Sequence, residues 1–133
     1  MNTFIATVTK IDTVDSLNIV KFDFLDQTLS MMSLDLNDNV KVGTAVELTM
    51  KPTIVAIGKG FSGIISYSNQ LKAKIVSIDN GELLSSINLQ IQDIFFESII
   101  TLDSSKKMDL KVGDEVTAFI KASELSILRV IDA

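Results

Sequence analysis

Apolar and polar residues alternate along most of this chain. Phe4, Ala6 and Val8 alternate with Thr3, Ile5 and Thr7, and Val20, Phe22 and Phe24 with Lys21 and Asp23. Further on, Ile87, Leu89 and Ile91 alternate with Asn88 and Gln90. A period of two with β-branched enrichment predicts half-buried strands. Turn-forming residues separate the runs: Asp12 to Asp15, Val42-Gly43, Asp79-Asn80-Gly81 and Val112-Gly113-Asp114. Helical spacing is scarce, and the best candidates for short helical turns are Leu34 to Asn39 and Ser104 to Asp109. The pattern predicts an all-β chain of many short strands, a barrel or a sandwich.

The pattern also repeats. Asn2-x-Phe4-x-Ala6-x-Val8-x-x-Ile11 returns as Asn69-x-Leu71-x-Ala73-x-Ile75-x-x-Ile78, and Leu17, Val20, Phe22 and Phe24 return as Leu84, Ile87, Leu89 and Ile91, at an offset of about 67 residues. With one extra residue in the second copy, Met31-Met32-Ser33-Leu34-Asp35 matches Ile99-Ile100-Thr101-Leu102-Asp103. After about two more, Val40-Lys41-Val42-Gly43 matches Leu110-Lys111-Val112-Gly113, and Lys51-Pro52-Thr53 matches Lys121-Ala122-Ser123. Apolar, turn and lysine positions return in order, which marks an internal duplication. We therefore divide the chain into a first repeat (1–58), a linker (59–68) and a second repeat (69–133).

The repeats meet at Gly58-Lys59-Gly60-Phe61-Ser62-Gly63, a glycine-rich hinge that is also a literal G-x-G-x-x-G. A dinucleotide site requires a helix directly after that motif, with its N-terminus facing a pyrophosphate. Ile64-Ile65-Ser66-Tyr67-Ser68-Asn69 follows instead, β-branched and polar with no helical period, so the segment reads as a linker.

Composition narrows the chemistry. The 133 residues include no cysteine and no histidine, so there is no disulfide, no thiolate metal site and no imidazole base. No tight acidic cluster offers a cation site, and an enzyme is not expected. The net charge of −5 and the lack of a basic stripe argue against nucleic acid as a partner. The start, Met1-Asn2-Thr3-Phe4-Ile5, has neither the basic residues nor the apolar run of a signal peptide, and no apolar run approaches a membrane span. A cytoplasmic location with no membrane partner is expected. Hydrophobic residues make up 47% of the chain, ample for a core, yet each half is too small to be robust alone, so a large shared or intersubunit interface is expected. Met31-Met32 and Phe95-Phe96 are assigned to core or interface, with interface favoured.

The second repeat holds the densest set of donors. The run Ile99-Ile100-Thr101-Leu102-Asp103-Ser104 ends a strand in two hydroxyls three residues apart. A second strand, Glu115 to Ile120, ends in Lys121-Ala122-Ser123. Hydroxyls, backbone N–H groups and one lysine at two strand ends suit a tetrahedral dianion, whose oxygens each need donors. Each residue also has an ordinary reading: Lys121 as a solvated strand-end lysine, Thr101 as a strand residue, Ser104 as a helix cap, Ser66 and Ser68 as linker polarity. Their order and spacing together favour the site.

In that order and spacing the chain resembles the Mop/TOBE family. The resemblance rests on Ser98 to Ser104, on Leu110 to Leu128 and on the opening Asn69-Gln70-Leu71-x-Ala73-x-Ile75; the internal repeat extends it to the first copy. It implies two tandem OB-like five-stranded β-barrels binding molybdate or tungstate at interfaces between domains, with no organic cofactor. It implies a homo-oligomer, a trimer first and a dimer next. By position it assigns Thr101 and Ser104 as hydroxyl ligands, Lys121 as the anion-facing lysine and Ala122 as a backbone donor. Ser66, Ser68 and Asn69 occupy the family's Ser-x-Arg-Asn segment, with Ser68 where arginine is usual, which removes the strongest charged donor. In the first copy Ser33 and Lys51 are the corresponding, weaker candidates; Pro52 replaces Ala122 and has no N–H to donate. The expected function is intracellular oxyanion binding for storage, buffering or homeostasis. The alternatives are a sensing module acting through another chain, or a structural oligomer whose anion sites have decayed.

Overall fold

The computed structural model describes residues 1–131, so the last two residues of the second repeat lie outside the described residues. The first repeat contributes β1 (Asn2–Val14), β2 (Leu17–Phe24), β3 (Gln27–Ser33), β4 (Ala45–Met50), a 3₁₀ turn (Pro52–Ile54) and β5 (Ala56–Gly58). The second contributes β6 (Asn69–Asn80), β7 (Leu84–Ile91), β8 (Ile94–Thr101), a six-residue helix α1 (Leu102–Lys107), β9 (Glu115–Ile120), a 3₁₀ turn (Ala122–Glu124) and β10 (Ser126–Val130). The expected alternation is realised: in β1, Phe4, Ala6 and Val8 are buried and Thr3, Ile5 and Thr7 exposed. All ladders are antiparallel, as two-residue hairpin turns such as Leu25-Asp26, both at positive φ, require.

The sheets do not follow the repeat boundaries at their edges. One sheet runs β10-β4-β1-β2-β3 and the other β5-β9-β6-β7-β8. The last strand of each repeat thus completes the sheet of the other: Ala56 to Gly58 pairs with Thr117 to Phe119, and Ser126 to Val130 with Val46 to Thr49. The 3₁₀ turn before each exchanged strand packs on the far edge of the sheet it joins, Pro52–Ile54 on β8 and Ala122–Glu124 on β3. Each turn therefore bridges the two edges of an OB-like barrel.

Two asparagines lock this exchange. Asn2 on β1 donates through Nδ2 to the Glu97 carbonyl and accepts from the Glu97 N–H, both at 2.8 Å. Asn69 on β6 does the same to Ser30, at 2.9 and 2.7 Å. A carboxamide used in this way mimics a paired strand residue. The aromatic core crosses the repeats as well: Phe4 stacks on Phe24 at 4.5 Å and meets Phe96 of the second repeat edge-on at 5.2 Å. One continuous core results, which is how two units of this size obtain enough buried apolar surface. Met31 and Phe96 belong to it, whereas their neighbours Met32 and Phe95 are exposed, so the expected interface role fits only half of each pair.

The strand register corrects the repeat alignment. Asn18 pairs with Ser33; Ser85, 67 residues on, pairs with Ile100, also 67 on. Ser33 is therefore the counterpart of Ile100, and Leu34 stands where Thr101 does. The three extra residues of the second copy all fall between β8 and β9, and α1 forms there. The expected helical turn at Leu34 to Asn39 is absent, for want of a cap: Leu34 replaces the capping threonine, and the Ser33 hydroxyl closes a local turn with Asp35 instead.

The linker is fixed rather than hinge-like. Gly58 lies within β5, where a Cβ would come within 2.8 Å of the Phe119 ring. Lys59 pairs with Asp114 at 3.0 Å and donates to the Asp109 carbonyl, and Phe61 packs edge-on against Phe119 at 5.0 Å.

Candidate oxyanion site

The site is built at the end of β8. Thr101 has extended backbone, and its Oγ1 accepts the Ser104 N–H at 3.1 Å, which makes it the N-cap of α1. The cap holds the Thr101 and Ser104 hydroxyls 2.9 Å apart, both on exposed residues. Capping was anticipated for Ser104; Thr101 performs it, because the chain leaves the strand one turn earlier than the sequence suggested. The cap uses one lone pair of Thr101, whose O–H donates to Ser104 Oγ; the Ser104 O–H stays free to donate to a ligand.

Opposite stands the end of β9. Lys121 has extended backbone and opens the 3₁₀ turn Ala122–Glu124, where the first N–H groups lack an intrahelical acceptor. Thr101, Ser104 and Lys121 together line one open cleft of about 610 Å³. The floor comes from the other repeat, through Thr53 to Ala56, which the strand exchange carries against β8. Ser98 anchors that wall, its buried hydroxyl donating to the Val55 carbonyl at 2.6 Å. Among the described residues Lys121 makes no ion pair, although Glu124, at the end of the same turn, lines the cleft too. Exposed Leu84 lines the cleft too, and its exposed neighbour Leu83 lines the adjoining one.

Several other predicted residues lie elsewhere. Asn69 is fully buried with its carboxamide committed to Ser30, so it serves the strand exchange and does not line the cleft. Ser66 and Ser68 are exposed on the segment before β6 and do not line it; Tyr67, between them, does. Ala122 is half-buried beside the lining lysine. In the first repeat the structure separates the two candidates: Ser33 lines a second cleft with Asp35, Asn37 and Arg129, whereas Lys51 lines neither. Sequence reasoning missed Tyr67, Thr53 and Glu124. The aromatic ring of Tyr67 within an otherwise small and polar stretch was the available signal.

One carboxyl group is strongly placed at the edge of the barrel. The ammonium of Lys59 beside Asp114, and then the Lys111 N–H, hold the Asp114 carboxyl below its ordinary value of 3.8. This turn follows the helix and fixes the start of β9, whose far end carries Lys121. Among the described residues no group of His, Cys, Asp and Glu could hold a metal ion, and no helix is long and apolar enough to cross a membrane.

Known proteins share this chain's sequence pattern and fold. The TOBE domain model matches residues 65–127. Molybdenum-pterin-binding protein 1 of Clostridium pasteurianum is 40% identical over 65 residues, which span 48% of this chain and 96% of that protein. A probable molybdenum-pterin-binding protein of Haemophilus influenzae is 38% identical over 64 residues, 47% of this chain and 93% of its own length. Among solved structures, the cytoplasmic molybdate-binding protein ModG, with molybdate bound, superposes with a TM-score of 0.82 at 22% identity, covering 95% of this chain and 94% of that one. The fold is thus shared over nearly the full length. The chain belongs to the TOBE-domain family of molybdenum-pterin-binding, or Mop, proteins.

Proposed function

We propose that this protein binds molybdate or tungstate in the cytoplasm and acts as a non-catalytic store or buffer of the anion. The observation that carries the reading is the convergence of Thr101, Ser104 and Lys121, from two strand ends, on one cleft. Hydroxyls and an ammonium group donate hydrogen bonds, which is the chemistry that holding an oxyanion requires. The relatives named for molybdenum binding support the choice of anion. Ala122 contributes its backbone N–H, next to Lys121.

The binding is proposed to be asymmetric. The second cleft has Ser33, Asp35 and Asn37 where this one has hydroxyls and Lys121, and Leu34 occupies the place of Thr101. The cation of that cleft, Arg129, is already paired with Glu47 at 2.9 Å and shares the cleft with the Asp35 carboxylate, which disfavours a dianion relative to Lys121. One oxyanion per chain is expected at the second-repeat site, with Ser33 and Lys51 contributing scaffold. A cleft open to solvent holds a dianion weakly, and exposed Leu84, with Leu83 beside it, fits coverage by another copy of the chain. The assembly is therefore proposed to be a homo-oligomer, a trimer first.

Calorimetry with molybdate tests the reading. The account predicts saturable binding near one anion per chain, and Lys121→Ala weakens it by roughly 1.5–3 kcal/mol, the worth of a hydrogen bond to a charged group. Equal affinity of the two forms would remove Lys121 from the site.

A further inference from the structure

We infer that Tyr67 donates its phenolic O–H to the bound oxyanion and is a determinant of affinity; the inference rests on the oxyanion reading of the cleft. A tetrahedral dianion carries two charges and four acceptor oxygens. The cleft side chains described so far offer one cation, Lys121, with the Glu124 carboxylate on the same wall. Three hydroxyls, of Thr53, Thr101 and Ser104, complete that set, and the Thr101 proton is already spent on Ser104 Oγ. Another donor is needed for the remaining anion oxygens.

Tyr67 meets the requirement on three counts. It lines the same cleft as Thr101, Ser104 and Lys121. Its ring is held, packed edge-on against Phe119 at 6.1 Å, with Phe61 on Phe119 in turn, and its carbonyl accepts from Gln70 Nε2 at 3.0 Å. Its hydroxyl bonds to none of the described residues and is not among their buried polar atoms, so it is accessible to solvent or a ligand. A positioned aromatic ring with an unused O–H at its tip is an amphipathic donor whose ordering cost is met by the fold. Exposed Ser66 and Ser68, on either side, point to no comparable role.

The test uses the full-length protein with sodium molybdate, sodium tungstate and, as control, sodium sulfate. Tyr67→Phe keeps the ring contact with Phe119 and removes only the donor. Calorimetry is expected to show about ten-fold or greater weakening for molybdate and tungstate, with an unchanged melting temperature without anion. The chain has one tyrosine and no tryptophan. The tyrosine band of its near-ultraviolet difference spectrum therefore reports this side chain alone, and tungstate is expected to shift it in the unsubstituted protein. Lys121-dependent binding that Tyr67→Phe leaves intact, with a silent tyrosine spectrum, would overturn this inference and leave the oxyanion reading standing. Absence of binding by the unsubstituted protein would overturn both.

Discussion

Replacing Asn69 by alanine separates an architectural role from a ligand role at a residue the family resemblance assigns to the anion. The side chain is fully buried and makes two hydrogen bonds to the Ser30 backbone, accepting at 2.7 Å and donating at 2.9 Å. Each bond is worth about 0.5–1.5 kcal/mol net, and its loss leaves a backbone N–H and a carbonyl short of a partner in a partly buried seam. The summed cost is roughly 2–4 kcal/mol. For a chain of this size that lowers the melting temperature by something on the order of 6–15 °C. Thermal melts followed by circular dichroism measure it, with Asn2→Ala as an internal control, because Asn2 makes the same pair of bonds to Glu97. The two substitutions are expected to cost similar amounts and to leave the affinity for oxyanion per folded chain within about two-fold. Unchanged stability in Asn69→Ala together with lost molybdate binding would refute the reasoning and return Asn69 to the site.

Three further outcomes follow from the geometry. Gly58→Ala places a Cβ 2.8 Å from the Phe119 ring and 3.1 Å from Phe61 Cβ, and is expected to destabilise by about 1–3 kcal/mol in urea unfolding. Glu124→Gln removes a carboxylate from the cleft while keeping its shape; calorimetry at low salt is expected to show tighter molybdate binding, by up to about 1 kcal/mol, with the gain shrinking as salt is raised. Asp114 has its folded-state pKa depressed below 3.8, so its pairing with Lys59 contributes fully above that value and is lost as the pH falls through the lower folded-state value. Asp114→Asn should accordingly flatten the acid end of the stability profile and leave its slope near pH 7 unchanged.

The strands and the duplication were legible because they depend on local alternation, which burial of Phe4, Ala6 and Val8 enforces directly. The strand exchange was not, because nothing within Ala56 to Gly58 or Ser126 to Val130 encodes which sheet they join; that choice is made by distant partners. Matching Ser33 to Thr101 by their shared hydroxyl shifted the alignment by one residue. Burial corrects it, since Met31 aligns with buried Ser98 and Met32 with half-buried Ile99. The family resemblance assigns Asn69 to the ligand, although Asn2 recurs at the same place in a copy lacking the rest of the site. That recurrence was the sign of an architectural role. Thr101, Ser104 and Lys121 were legible together because their chemistry and spacing were read as one set, and they meet in one cleft. Tyr67 is not legible in the sequence, because a serine-rich stretch reads as linker until the packing of its ring on Phe119 is known.

The most direct test of the central claim is where a heavy oxyanion sits. Crystals soaked in tungstate and measured at a tungsten absorption edge should show an anomalous peak beside Thr101, Ser104 and Lys121, and none beside Ser33 and Asp35. Peaks of equal height in both clefts would contradict the proposed asymmetry, and no peak at the end of β8 would contradict the assignment of the site itself.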